Sequence, residues 1–229
     1  ILSGLVGSEM CIRDSIYAGT TVSSITGSAL TVGHGIGTLN ITAQGDISSI
    51  TGSAKGIGAA SSGINAGSIT SVAGDIADIT GSSSIQGDGI GGITVTALQG
   101  SIGNISGSAY DGSGLAVTSV KSLEGIGTIT GSSVLGTGIN GGSYSVSGTG
   151  GNIGAITGTT VEGTAIGGGA SFEAVGGTIT SITATPSGVG GNAINNASFS
   201  AQSLGNITVN VTNLQGGLAI NNAQFTSTV

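Results

Sequence analysis

Few residues in this chain could do chemistry, and their types and spacing show what that chemistry would have to be. Gly87-Asp-Gly-Ile-Gly-Gly92 spells the G-x-G-x-x-G fingerprint of dinucleotide sites, but that motif needs a following helix whose N-terminus holds the phosphates. Here a strand-like alternation, Ile93 to Ala97, comes next instead. Asp75 and Asp78 lie three apart, as calcium ligands can, yet the calcium-binding nonapeptide repeat is missing. Asp46 and Asp75 occupy equivalent places in neighbouring repeats and are expected at solvated turns. Glu162 and Glu173 would have to meet across a cleft to act as the acid pair of a glycoside hydrolase, and nothing in the sequence brings them together. His34, between two glycines, has no partner for a nucleophilic triad and reads as a turn residue. The expected catalytic, cofactor-binding and metal residues are therefore none, and the chain is expected not to be an enzyme.

Composition points to what must carry the fold. Of 229 residues, 48 are glycine, one is proline and 6% are charged. Disordered chains are poor in apolar residues and rich in net charge, whereas the mean hydropathy here is +0.43 and Ile and Val recur throughout. Collagen is excluded, because glycine keeps no three-residue period. The formal net charge of -7, with only three basic residues, argues against a nucleic-acid partner and against an anionic membrane surface. No run of about 18 apolar residues could cross a bilayer.

Residues 1 to 15, ILSGLVGSEMCIRDS, hold the only Cys (Cys11), the only Met (Met10) and the only Arg (Arg13). They share nothing with the repeats from Ile16 onward. This string resembles a spurious N-terminus found in translated environmental sequence, where a sequencing adapter is read through into a truncated reading frame. It is expected to be a non-native leader to a repeat domain over 16–229. Without it the chain has no cysteine, which suits an exported protein.

The repeat reads (aliphatic)-x-x-Ile-(Thr/Ser). Its second anchors are Ile25, Ile50, Ile79, Ile105, Ile129, Ile156, Ile182 and Ile207, spaced by 25, 29, 26, 24, 27, 26 and 25 residues. Three residues earlier stand Val22, Ile47, Ile76, Ile102, Ile126, Ile153, Ile179 and Leu204. The residue after the anchor is always Thr or Ser. A second mark keeps the same period: Ile194-Asn-Asn-Ala-Ser-Phe199 returns as Ile220-Asn-Asn-Ala-Gln-Phe225, with Ile139-Asn-Gly-Gly-Ser-Tyr144 as a looser copy. Helical repeats are opposed by the β-branched residues and glycine, and propeller blades need about 40 residues.

The fold expected is an all-β, single-chain parallel β-helix, right-handed, with about eight coils of ~26 residues stacked at ~4.8 Å. Each coil is expected to hold two or three strands of three to five residues. Both anchors should point inward across a bend, the Thr/Ser column should face out, and the glycine after it (Gly27, Gly52, Gly81, Gly107, Gly131, Gly158) should supply the positive φ of a corner. Both ends are expected to be open edges, which favours self-association.

Coils built from GxIxxITGS-like units resemble the repeat regions of large bacterial surface proteins, including autotransporter passengers and filamentous-haemagglutinin-like exoproteins, over Ile16 to Val229. That resemblance implies export, an extracellular or cell-surface location, no cofactor, and a role as stalk or adhesive surface for a glycan or protein. A second expectation is a polysaccharide-binding or polysaccharide-cleaving β-helix whose catalytic part lies elsewhere. Such sites use clustered Asp, Lys, Arg and aromatics, and outside the leader only Lys55 and Lys121 are basic. Ice binding is a third. It needs two parallel Thr columns, and the pairs Thr94/Thr96 and Thr178/Thr180 are not maintained from unit to unit.

Overall fold

The computed structural model describes residues 14–56, 61–212 and 216–228. Among them there is no helix, and the strands form stacked coils whose neighbours pair in parallel. Cys11, Met10 and Arg13 lie outside the described residues. The first described strand, Asp14–Ala18, pairs with Leu39–Ala43 from Asp14 onward. About eight turns at a spacing of ~26 residues make the molecule a β-solenoid, as the repeat requires.

Four inward columns build the core. The first is the row of early anchors, linked Val22, Ile47, Ile76, Ile102, Ile126, Ile153, Ile179, Leu204. The second is the row of later anchors from Ile25 to Ile207, paired residue for residue. The third runs Ile36, Ile64, Ile90, Leu115, Ile139, Ile166, Ile194, Ile220. The fourth runs Ile16, Ile41, Ile69, Val95, Val120 and then turns aromatic, with Tyr144, Phe172, Phe199 and Phe225. Alternation sends every second residue of a strand inward, so each column is a continuous aliphatic or aromatic seam along the axis. In the second and third columns the first seven members are buried, and only in the last coil do Ile207 and Ile220 surface, at 41% and 48% exposure.

In the first seven coils both anchors of each pair are buried, as their three-residue step predicts. In Ile47–Ala54 the register with the next coil runs Ile47 to Ile76 and then Ser49 to Asp78, so the strand bends between the anchors. The strands are longer than the sequence suggests. Several reach eight residues, and Ser171–Pro186 runs for sixteen across two rows.

The glycine column after the Thr/Ser is correctly located but does another job. Gly27, Gly52, Gly81, Gly107, Gly131 and Gly158 are not in the left-handed region; they lie inside strands and point inward. A Cβ on Gly52 would strike the carbonyl oxygen of Gly63 and the Ile64 side chain, and one on Gly107 would strike Gly114 and Leu115. The second row therefore presses backbone to backbone on the turn that precedes the third row, and only a residue without a side chain allows that approach.

The left-handed corner lies two residues past the third column, at Ala66 (φ 60), Gly92 (φ 59), Gly141 (φ 69), Gly168 (φ 65), Asn196 (φ 56) and Asn222 (φ 48). Glycine and asparagine are the residues that tolerate this conformation best, and Ala66 is the exception.

Toward the C-terminal end side chains enter the contact between the second row and that turn. Gly131 is held against Gly138 and Gly158 as closely against Ala165, and in the next coil Ala184 takes the glycine's place. Over the same coils the fourth column exchanges Val for aromatic rings. Tyr144 stacks on Phe172 with centroids 4.7 Å apart and planes at 9°, and Phe172 on Phe199 at 5.1 Å and 4°. Phe199 stacks on Phe225 at 5.1 Å and 6°. Parallel β-stacking sets this spacing, since equivalent side chains repeat at the distance between strands.

Candidate binding surface

The residues that could have done chemistry are dispersed, and most of the acidic ones hold the stack together. Asp46 Oδ1 accepts the backbone N–H of Asp75 (2.9 Å), and Asp75 Oδ1 accepts the N–H and hydroxyl of Ser101 (2.7 and 2.9 Å). Asp78 Oδ1 accepts the N–H and side-chain amide of Asn104 (3.3 and 3.0 Å), and Asn104 in turn accepts the N–H of Thr128 (3.2 Å). Asn152 Oδ1 accepts the N–H of Thr178 (2.7 Å). Each of these side chains caps a donor one coil further on, at a bend where the strand ladder is interrupted and the N–H would otherwise lack an acceptor. Among the described residues no group of three or more His, Cys, Asp or Glu is placed to hold a metal ion.

His34 belongs to the same scheme at another corner. Its Nδ1 accepts the Ser62 N–H (3.1 Å), Ser62 Oγ accepts the Asp88 N–H (3.2 Å), and Asp88 Oδ1 accepts the Ser113 N–H (2.8 Å). In the seventh coil Asn192 Oδ1 does the same for Leu218 (2.9 Å). With Nδ1 accepting, the proton of the neutral ring sits on Nε2, 3.2 Å from the Asn65 side-chain amide, which accepts it with its oxygen turned toward the ring. Burial lowers the His34 pKa from its ordinary value; burial raises that of Asp88, against the opposing hydrogen bonds from Ser113. Gly87 to Gly92, the fingerprint-like stretch, forms this same corner and opens the strand Ile90–Ala97. Glu162 sits at the corner after Asn152–Thr160, where its N–H donates to Val134, while Glu173 points outward from the fourth row, so the two carboxylates are not brought together.

What the fold does bring together is hydroxyls. On the outer side of the second row, Thr26, Thr51, Thr80, Ser106, Thr130, Thr157, Thr183 and Thr208 form one in-register column, none of them buried. Two residues further along each strand stands a second column: Ser28, Ser53, Ser82, Ser108, Ser132, Thr159 and Thr185. Asn210, whose N–H bonds to the Ala184 carbonyl, takes the next place in it. Two parallel hydroxyl columns are therefore maintained, on a different strand from Thr94/Thr96 and further along the long strand that also holds Thr178/Thr180. Sequence reasoning missed the second one because it read the glycine of ITGS as a corner, which would end the strand before the serine; the serine's regular place two residues after the Thr was the available signal. The inward glycine between the columns leaves no side chain in the trough separating them.

The outer side of the fourth row has the same architecture but a mixed surface. Its columns carry hydroxyls such as Ser68, Thr70, Thr94 and Thr96, interrupted by Tyr17, Asn40, Lys121 and Glu173. Lys55 stands at a corner and not on either face, where its N–H bonds to the Ala29 carbonyl. A surface hollow of about 220 Å³ lies between Gly169, Asn196, Ser198, Asn222 and Gln224, where Asn222 donates to Asn196 (3.0 Å). A second, of about 340 Å³, lies over Ser101, Gly103, Glu124 and Asn152. No family model, no curated protein and no solved structure matches this chain.

Proposed function

We propose that the chain is a non-catalytic structural and adhesive repeat segment of an exported bacterial surface protein. In this reading the solenoid is the spacer and its outside is the contact surface. One observation carries the reading: the side chains are already committed. The apolar ones fill four axial columns, and Asp46, Asp75, Asp78 and Asp88 are engaged in capping the coil above. What remains on the outer side of the second row is hydroxyl, laid out with the axial period of the coils, and each added coil lengthens the spacer by about 4.8 Å.

The test is retention of beads coated with the full chain on immobilised polysaccharides and on cell surfaces, measured beside release of reducing sugar from the same polysaccharides. The expected result is retention without cleavage. Cleavage would overturn the non-catalytic reading, and absence of retention on every surface would remove the adhesive one.

A further inference from the structure

The two outward faces are built on the same strands and stacking, yet only one is free of charge and of bulky side chains. Over eight coils the second row presents Thr or Ser at every place of its two columns except the last, Asn210. The fourth row, under the same constraints, admits Tyr17, Lys121 and Glu173. Fold alone therefore does not demand the uniform face.

Geometry narrows what that face fits. Neighbouring strands stack at about 4.8 Å, and residues two apart on a strand lie about 6.6 Å apart, so the hydroxyls form a rectangular net with those repeats. Both repeats are close to the oxygen repeats on the prism face of hexagonal ice. The net is also stiff. Each strand is hydrogen-bonded on both sides within the stack, and its inward glycine is held against the opposite turn, as Gly52 is against Gly63 and Ile64. In the first column threonine, at every place but Ser106, adds a methyl beside the hydroxyl, and its β-branching restricts rotation. The trough above the glycines can seat a file of water molecules with one repeat per coil. A sugar ligand would call for aromatic platforms or charged anchors, and this face carries neither.

We propose that the second-row face is an ice-binding surface, which organises water between its two hydroxyl columns into the lattice of an ice crystal. This rests on the reading that the outside of the solenoid is its working surface, and it names the partner.

The experiment uses the full chain in two assays: partition into a slowly growing ice front and thermal hysteresis, each against variants confirmed as folded by their β-sheet circular dichroism and melting. Wild type is expected to be enriched in ice and to show hysteresis. T80Y with T130Y, which breaks the second-row net, is expected to lose both. T70Y with S145Y, on the fourth-row face, is expected to keep both. Exclusion of wild type from ice overturns the proposal, as does equal loss from variants of the other face. Bead retention on polysaccharides or cells together with exclusion from ice would refute this inference while leaving the adhesive reading intact.

Discussion

Tyr144 is the one polar intruder in an otherwise apolar column, and replacing it with Phe should stabilise the protein. Its ring is fully buried and stacks 4.7 Å from Phe172, but its hydroxyl has no hydrogen-bond partner. Leaving a buried hydroxyl unpaired costs about 1–3 kcal/mol. Removing the oxygen leaves a void smaller than a methyl group, worth a few tenths of a kcal/mol at roughly 24 cal/mol per Å³. Phe172 and Phe199 already fill the same place in the next coils, so no repacking is required. The net expectation for Y144F is a gain of about 1–2 kcal/mol, or roughly 3–6 °C in melting temperature for a chain of this size.

Urea and thermal unfolding followed by circular dichroism would measure it. An alkaline arm sharpens the test. Burial raises the Tyr144 pKa above the ordinary 10.0, so its contribution is fully present below pH 10 and is lost as pH rises beyond it. The stability advantage of Y144F should therefore grow above pH 10. A less stable Y144F would refute the reasoning, because it would show that the hydroxyl is held by a partner.

Three further expectations rest on particular positions. Gly107→Ala places a Cβ against the Gly114 carbonyl and Leu115 and should destabilise by about 2 kcal/mol or more, whereas Ala184→Gly, at the equivalent place in the seventh coil, where a Cβ is already accommodated, should cost only about 1 kcal/mol; equal effects in denaturant titrations would contradict the close-approach account. Ala66→Gly relieves a left-handed alanine (φ 60), a strain of about 1–2 kcal/mol, and after the entropic cost of glycine should still stabilise by roughly 0.5–1 kcal/mol. The corner ladder should be pH-sensitive in two directions. Burial lowers the His34 pKa, so its contribution is present above pH 6.5 and lost as pH falls; burial raises the Asp88 pKa, so its contribution is present below pH 3.8 and lost as pH rises. H34N, which keeps an acceptor for Ser62, should flatten melting temperature between pH 7 and 5. D88N, which copies the Asn192 cap, should be more stable than wild type at pH 7, with the difference shrinking in acid.

The repeat made much of this legible in advance. The anchors Ile47 and Ile50, and their equivalents in every unit, announce their columns because burial demands an apolar residue at the same place in each coil. Thr51 announces an outward column for the complementary reason: a β-branched hydroxyl suits a strand that faces water. The surface was less legible. Gly52 reads as a corner that would end the strand, since glycine commonly marks a turn, and only the tertiary structure, with Gly52 held against Gly63, carries the strand on through Ser53.

By itself, then, the amino-acid sequence determined the period, the solenoid class and the inward columns, because these arise from local alternation repeated at a constant interval. Tertiary structure alone decided the rest. Asp46 meets the Asp75 N–H 29 residues away, the left-handed corner falls at Ala66 and its equivalents, and Tyr144 loses every partner for its hydroxyl. Those outcomes depend on which atoms of one coil lie against the next, and a spacing along the chain does not carry that information.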